Sequence, residues 1–216
     1  RARCSSSCPH ARIIYHKNNK IHCALPELNY TDINMIKNCM PNPTVGLFGI
    51  GLDTYWPQFP GLKERLTEYQ TETRALLEKA GATVIDAELV DSVQKARAAA
   101  RLFREKTVSI VFLHITTYAL SQTVLPIAQG IGVPIIIINM QPAKNIDYSW
   151  FNSLGDRALM TAEWLANCQS CCVPEIANVF NRNSIPYYLV TGFRGEEFIE
   201  HELTGWIKAT RVAEAL

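Results

Sequence analysis

The sequence predicts a doubly wound α/β domain, a five-stranded parallel sheet with helices on both faces. Three observations predict it. Short apolar runs at Thr44–Ile50, Val108–Leu113 and Val133–Ile138 lack polar alternation, the pattern of strands covered on both sides. The segments between them carry apolar residues every three or four positions, the period of helices packed on a sheet. Polar and aromatic residues then gather directly after the apolar runs: Asp53 and Tyr55, then His114, then Asn139 and Gln141. In open parallel sheets ligands bind just beyond the carboxyl ends of the strands, so this clustering marks one edge.

The elements follow in order from Thr44. The first strand gives way abruptly to Gly51, Asp53, Tyr55, Trp56 and Gln58, and Pro60-Gly61 opens a helix. Its inward face reads Leu62, Leu66, Tyr69, Thr73, Leu76 and Ala80, and Gly81 is its left-handed stop. Ala82 to Asp86 is the second strand. Asp91 is placed to cap the next helix, with Val93, Ala96, Ala100 and Phe103 inward. The third strand, Val108 to Leu113, ends at His114, and a helix with Leu120, Val124, Ala128 and Ile131 inward follows. The fourth strand holds four consecutive isoleucines, which puts it in the middle of the sheet. Ala143 to Leu154 reads as a long, aromatic-rich loop, and long ordered loops in compact domains are often functional. Helices near 156–167 and 173–183, a fifth strand at Tyr187–Thr191 and a last helix near 196–211 complete the alternation. This succession is that of a flavodoxin-like sheet.

At 216 residues, 48% hydrophobic and 19% charged, the chain is long enough for one large core and ordinary in composition. Residues 1–43 differ from the rest, with six Lys/Arg against two acids, and Arg1 to Leu25 has no acid at all. That composition fits a transit peptide or a disordered, non-native or upstream-translated extension. Met40, just before Pro41-Asn42-Pro43 and the first strand, favours the extension. The expected organisation is therefore residues 1–43 outside the fold and 44–216 as the α/β domain. The last helical pattern runs on without a stop signal, so the chain reads as cut before a further segment. The remaining 15 Lys/Arg against 18 acids leave no basic face for nucleic acid, and no apolar run spans a bilayer. Seven cysteines, an odd number with none between Cys39 and Cys168, speak against a disulfide framework and for a reducing cytoplasm.

Little of the chemistry-bearing content forms a known motif. Gly49-Ile50-Gly51 lacks the third glycine of a dinucleotide loop and the lysine of a P-loop. No Ser-His-Asp or Cys-His arrangement is readable. Cys168, Cys171 and Cys172 are one ligand short of a zinc site and read as small packing residues. His114 alone, after an apolar strand, reads as a hydrogen-bonded histidine.

Three motifs in order and spacing carry a resemblance over residues 44–210. Tyr55-Trp56-Pro57-Gln58 sits where arabinose isomerases have Leu-Tyr-Gly-Pro-Glu. Phe112-Leu113-His114-Ile115-Thr116 is similar to their Leu-His-Thr-Phe-Ser, and Asn139-Met140-Gln141 to their His-Thr-Gln-Phe. Val190-Thr191-Gly192 also matches. The chain thus resembles the N-terminal portion of the L-fucose/L-arabinose isomerase superfamily, in a less characterised branch. The resemblance implies a Mn²⁺-dependent aldose–ketose isomerase acting through an ene-diol. Its metal and catalytic residues would lie in a C-terminal half, so none are assigned here and this chain alone is expected to be inactive. It implies a cytoplasmic homo-oligomer, trimer or hexamer, with a small-molecule sugar as ligand. Tyr55, His114 and Gln141 are the positions matching a substrate rim that acts on a neighbouring subunit's site. Leu52 and Asn139 depart from the family's glutamine and histidine, and contacts from those two are not carried over. A non-catalytic sugar-binding module is the alternative, because one architecture serves both.

Overall fold

The structure, a computed structural model, describes residues 41–215. Five parallel strands lie in the order β2-β1-β3-β4-β5: β1 Thr44–Ile50, β2 Thr83–Val90, β3 Ile110–His114, β4 Ile135–Gln141 and β5 Tyr187–Phe193. Among the described residues seven α-helices accompany them: α1 Leu62–Lys79, α2 Val93–Glu105, α3 Leu125–Ile131, α4 Tyr148–Ser153, α5 Arg157–Ala166, α6 Val173–Arg182 and α7 Glu197–Ala215. This is the doubly wound α/β architecture that the alternation of runs predicts. The order reverses between β1 and β3, so their carboxyl ends flank the switch point of the sheet.

Each face of the sheet has its own core. Val45, Leu47, Ile110, Phe112, Ile136, Ile138 and Met140 pack against Leu77 of α1 and Ile199, Leu203 and Ile207 of α7. Phe48, Ile50, Val111, Leu113, Ile135 and Ile137 pack against α2, α3 and α6, through Phe103, Ile127, Ile176 and Phe180 among others. Both faces of β1, β3 and β4 are therefore apolar, which is why these strands show no alternation in sequence.

Several boundaries differ from the sequence reading, each for a local reason. β2 continues past Asp86 to Val90 because its register against β1 shifts between Leu47 and Gly49. At this bulge Glu88 takes φ 59°, and its N–H donates to Asp86 Oδ1 at 2.8 Å. The charge at Asp86 thus marks a bulge and not a strand end. Ser92 caps α2 by accepting from Lys95 N–H at 3.3 Å, in place of Asp91. The stretch 143–154 is not all loop: Asp147 accepts from the N–H groups of Ser149 and Trp150 and starts α4. Gly81 takes φ 93° just after α1, as its stop position requires.

Of the segment 1–43, residues 1–40 lie outside the described residues. Asn42 and Pro43 are held by the domain, since Thr83 N–H donates to the Pro43 carbonyl at 2.9 Å and Arg211 Nη2 donates to Asn42 Oδ1 at 2.9 Å. Among the described residues no helix is long and apolar enough to cross a membrane.

Candidate functional site

His114 ends β3, paired in register with Gly49 of β1, and its side chain points to the α1 face. It is 1% exposed. Gln70 Nε2 donates to Asp86 Oδ1 at 3.0 Å, and a carboxylate accepts only, so the Gln70 oxygen is left facing His114 Nδ1 at 3.0 Å. Nδ1 therefore carries the proton and Nε2 is the bare nitrogen, 3.4 Å from Thr73 Oγ1. Gly49 makes room for this arrangement, because a Cβ there would lie 2.8 Å from Gln70 Oε1 and 2.7 Å from Leu89. Burial, helped by the nearby Arg194 charge, pushes the His114 imidazole down to about 3. A neutral, enclosed histidine of this kind holds the floor of the switch point and is out of reach of a ligand.

Asn139 and Gln141 leave β4 on the opposite side. The pairing of His114 with Ile138 puts Ile138 and Met140 on the α1 face, and so turns Asn139 and Gln141 toward the turn that precedes α6. Gln141 Nε2 donates to Ser170 Oγ at 2.6 Å and to Asn139 Oδ1 at 3.0 Å. Asn139 Nδ2 also lies 3.4 Å from Thr191 Oγ1 at the end of β5. Beyond Gln141, residues 142–147 separate two adjoining clefts. One, about 430 Å³, is lined by Gln141, Lys144, Tyr148 and Phe193 among others. The other, about 360 Å³, opens between α1, α5 and Arg194.

The second cleft is built on Tyr69. Arg65 Nε donates to the Tyr69 hydroxyl at 2.7 Å, and the Arg194 guanidinium sits 4.9 Å from the centre of its ring. Each guanidinium is paired: Arg65 with Glu163 of α5, and Arg194 with Glu72 of α1. Burial raises the Tyr69 phenol, partly offset by the two arginines, so it stays protonated. Glu68, Asp147 and the half-exposed Trp150 complete the wall. The result is a pocket with donors, acceptors and aromatic faces, in which both arginine charges are already matched. A third cavity, about 850 Å³ and lined by Ile135, Ile136, Tyr187, Tyr188 and Trp206 among others, opens at the amino ends of β4 and β5, away from the edge where such sheets bind ligands.

Tyr55 lies in a single 3₁₀ turn, Asp53–Tyr55, and packs edge-on against Trp56 and Phe59 over the start of α1. Burial, then Tyr118 and Cys172 nearby, pushes its phenol up. The Trp56 ring folds back over Gly51, and its indole N–H donates to Asp91 Oδ2 at 2.9 Å. All three sequence-selected residues thus lie at the carboxyl end of different strands, His114 and Gln141 as last residues of β3 and β4 and Tyr55 after β1, but they do not share a pocket. His114 is enclosed on one face, Gln141 lines a cleft on the other side, and Tyr55 belongs to the aromatic turn. Gln70, Arg65, Glu163, Ser170 and Arg194 escaped the sequence reading. Of these only Gln70, beside Tyr69 on the inward face of α1, left a periodicity signal.

The C-x-x-C-C cluster departs from its reading as simple packing. Cys168 and Cys171 form a disulfide, with Cα atoms 5.6 Å apart, while Cys172 is a buried thiol. There is thus one disulfide among the described residues, where the cysteine count spoke against a disulfide framework. Among the described residues no group of three or more His, Cys, Asp or Glu is placed to hold a metal ion. Of the carboxylates that line the cleft, Glu72 and Glu163 are each paired with a guanidinium and Asp147 caps α4, which leaves only Glu68, so the set present does not fit Mn²⁺, and no step through a metal is derived from these residues. No protein-family model matches the chain, and no curated protein matches it.

Proposed function

We propose that this chain is the sugar-facing α/β portion of an aldose–ketose isomerase, and that its ligand is a neutral polyhydroxylated molecule bound around residues 141–147. One observation supports this most: the cleft at the carboxyl edge offers paired guanidinium and carboxylate groups beside the half-exposed ring of Trp150. A sugar hydroxyl both donates and accepts, and the C–H side of a sugar ring packs on an aromatic face. Matched charges favour such a ligand over a phosphate or another anion, which would have to displace Glu72 or Glu163. The volume lies within the range of small-molecule sites.

In this reading Gln141 orients a hydroxyl from the neighbouring cleft, while Tyr55 and His114 shape the edge without touching the sugar. Mn²⁺ and the residues that move the proton belong to sequence other than these 216 residues. The working protein is a cytoplasmic homo-oligomer, a trimer or hexamer, in which this edge faces a neighbouring subunit.

Two measurements test the reading. Titration of the chain with L-fucose and L-arabinose, followed by amide NMR and tryptophan fluorescence, is expected to give saturable changes centred on residues 141–150 and on Arg194. Trp150→Ala and Gln141→Ala are expected to weaken binding several-fold each, about 1–2 kcal/mol, without unfolding the chain. Absence of saturation, or binding indifferent to both substitutions, would refute the site. Mn²⁺-dependent ketose formation is expected of a longer protein that contains this chain, and none of the 216-residue chain itself.

A further inference from the structure

The Cys168–Cys171 bridge lies outside the sugar reading, and its surroundings differ sharply between its two sulfurs. Cys168, just after α5, is 2% exposed, while Cys171 is exposed in the 3₁₀ turn Ser170–Cys172 that runs directly into the N-terminus of α6. The bridge spans a sequence separation of only 3, so it constrains the unfolded chain far less than a long-loop disulfide does. Structural holding of this turn comes from elsewhere. The buried Gln169 amide donates to the carbonyls of Thr116 and Ala166 at 2.9 and 2.8 Å, and the Cys172 thiol donates to the Thr117 carbonyl at 3.6 Å. The turn is thus anchored on both sides of Cys171 without help from the disulfide.

We propose that Cys168–Cys171 is a thiol–disulfide exchange site for a small thiol of the glutathione class, with Cys171 as the sulfur that is attacked. The incoming thiolate forms a bond to Cys171 Sγ, the Cys168–Cys171 bond breaks, and Cys168 leaves with the electron pair and takes up a proton. A second small thiol then attacks the small-molecule sulfur of the mixed disulfide. It releases Cys171 as a thiolate and leaves as the oxidised small-molecule disulfide. One protein disulfide is reduced and two small thiols are oxidised, so electrons and atoms balance. The departing Cys171 thiolate sits at the N-terminal end of α6, where the aligned peptide groups favour negative charge. Cys172 takes no part, because it is enclosed and burial raises its thiol to about 11.

The exchange site adjoins the β4 edge. Ser170 lies between the two cysteines, and its hydroxyl receives the Gln141 amide at 2.6 Å.

The test equilibrates the full chain with mixtures of reduced and oxidised glutathione, quenches by alkylation, and reads each cysteine by peptide mass mapping. Cys168 and Cys171 are expected to change together, as a two-thiol step that reverses when the mixture is made oxidising, with Cys172 unmodified in the folded state. In Cys168→Ser, oxidised glutathione is expected to form a mixed disulfide on Cys171. In Cys171→Ser, modification of the enclosed Cys168 is expected to be at least about tenfold slower. A pair that stays bonded across the whole series, or stays reduced across it, overturns the proposal. So does a mixed disulfide on Cys168 at the rate seen on Cys171. The wild-type map decides alone if either variant fails to fold.

Discussion

The enclosed His114 makes part of the acid stability of this domain depend on one imidazole. Its folded-state pKa is about 3 against an ordinary value of 6.5. As pH falls below 6.5 the unfolded chain takes up a proton on this ring that the folded chain does not, so stability declines with falling pH. The decline continues to about 3, where the folded ring protonates too. The whole window is worth about 5 kcal/mol, at about 1.4 kcal/mol per unit, of which about 2 kcal/mol is lost between neutrality and about pH 5.

The perturbation is His114→Asn, which keeps a polar side chain near Gln70 and removes the titrating ring. Urea unfolding at about pH 7 and about pH 5 gives the comparison. The variant is expected to be less stable at neutrality by about 1–3 kcal/mol, from lost hydrogen bonding and packing. Its further loss on acidification is expected to be smaller than that of the parent chain by about 2 kcal/mol. Nitrogen NMR of the parent chain checks the same point without any variant: the His114 ring is expected to stay neutral, with its proton on Nδ1, down to about pH 4. Parallel acid losses in the two proteins, or a His114 midpoint near 6.5, would refute the reasoning.

Further expectations rest on single contacts. Gly49→Ala drives a Cβ into Gln70 and Leu89 and is expected to cost about 1–3 kcal/mol in unfolding free energy, with altered His114 ring shifts. An unchanged histidine spectrum would show that Gly49 does not set the Gln70 position. Trp56→Phe leaves the buried Asp91 carboxylate with Lys95 as its remaining side-chain partner, at 2.7 Å, and is expected to lower stability by about 1–2 kcal/mol in a denaturant titration. A chain beginning at Thr44 loses the Pro43 and Asn42 acceptors that one beginning at Met40 keeps. The shorter chain is expected to be less stable by about 1–2 kcal/mol, seen as a lower Tm.

How much of this was legible in the sequence follows from what a doubly covered strand can encode. Apolar runs at β1, β3 and β4 reveal strands because nothing polar interrupts them, and the order of strands and helices follows. For the same reason they conceal which side each residue faces, since a strand apolar on both sides has no period-two signal. His114 and Gln141 read as residues that follow apolar strands and are in fact the last residues of β3 and β4, yet nothing in either run says that they diverge. That is decided by the pairing of His114 with Ile138, a register between segments more than twenty residues apart. β2 shows the converse error. Asp86 looks like a strand end because a charge there breaks the apolar run, whereas it is a bulge residue whose carboxylate fixes the Gln70 amide.

Arg194 ties these misread parts together. It follows β5 in a turn with no motif, so sequence offers no reason to select it. In the fold its guanidinium covers the Tyr69 ring, pairs with Glu72 and lines the cleft, while its charge helps to keep His114 neutral. Tyr69 and Gln70 are consecutive residues of α1, so one turn of helix places the ring under Arg194 at the cleft wall and the amide against the buried histidine. The enclosed network is therefore the floor on which the cleft is built. A change in His114 that leaves the fold intact is expected to reach the cleft through α1, by moving Tyr69 and Arg194, and not by direct contact with a ligand.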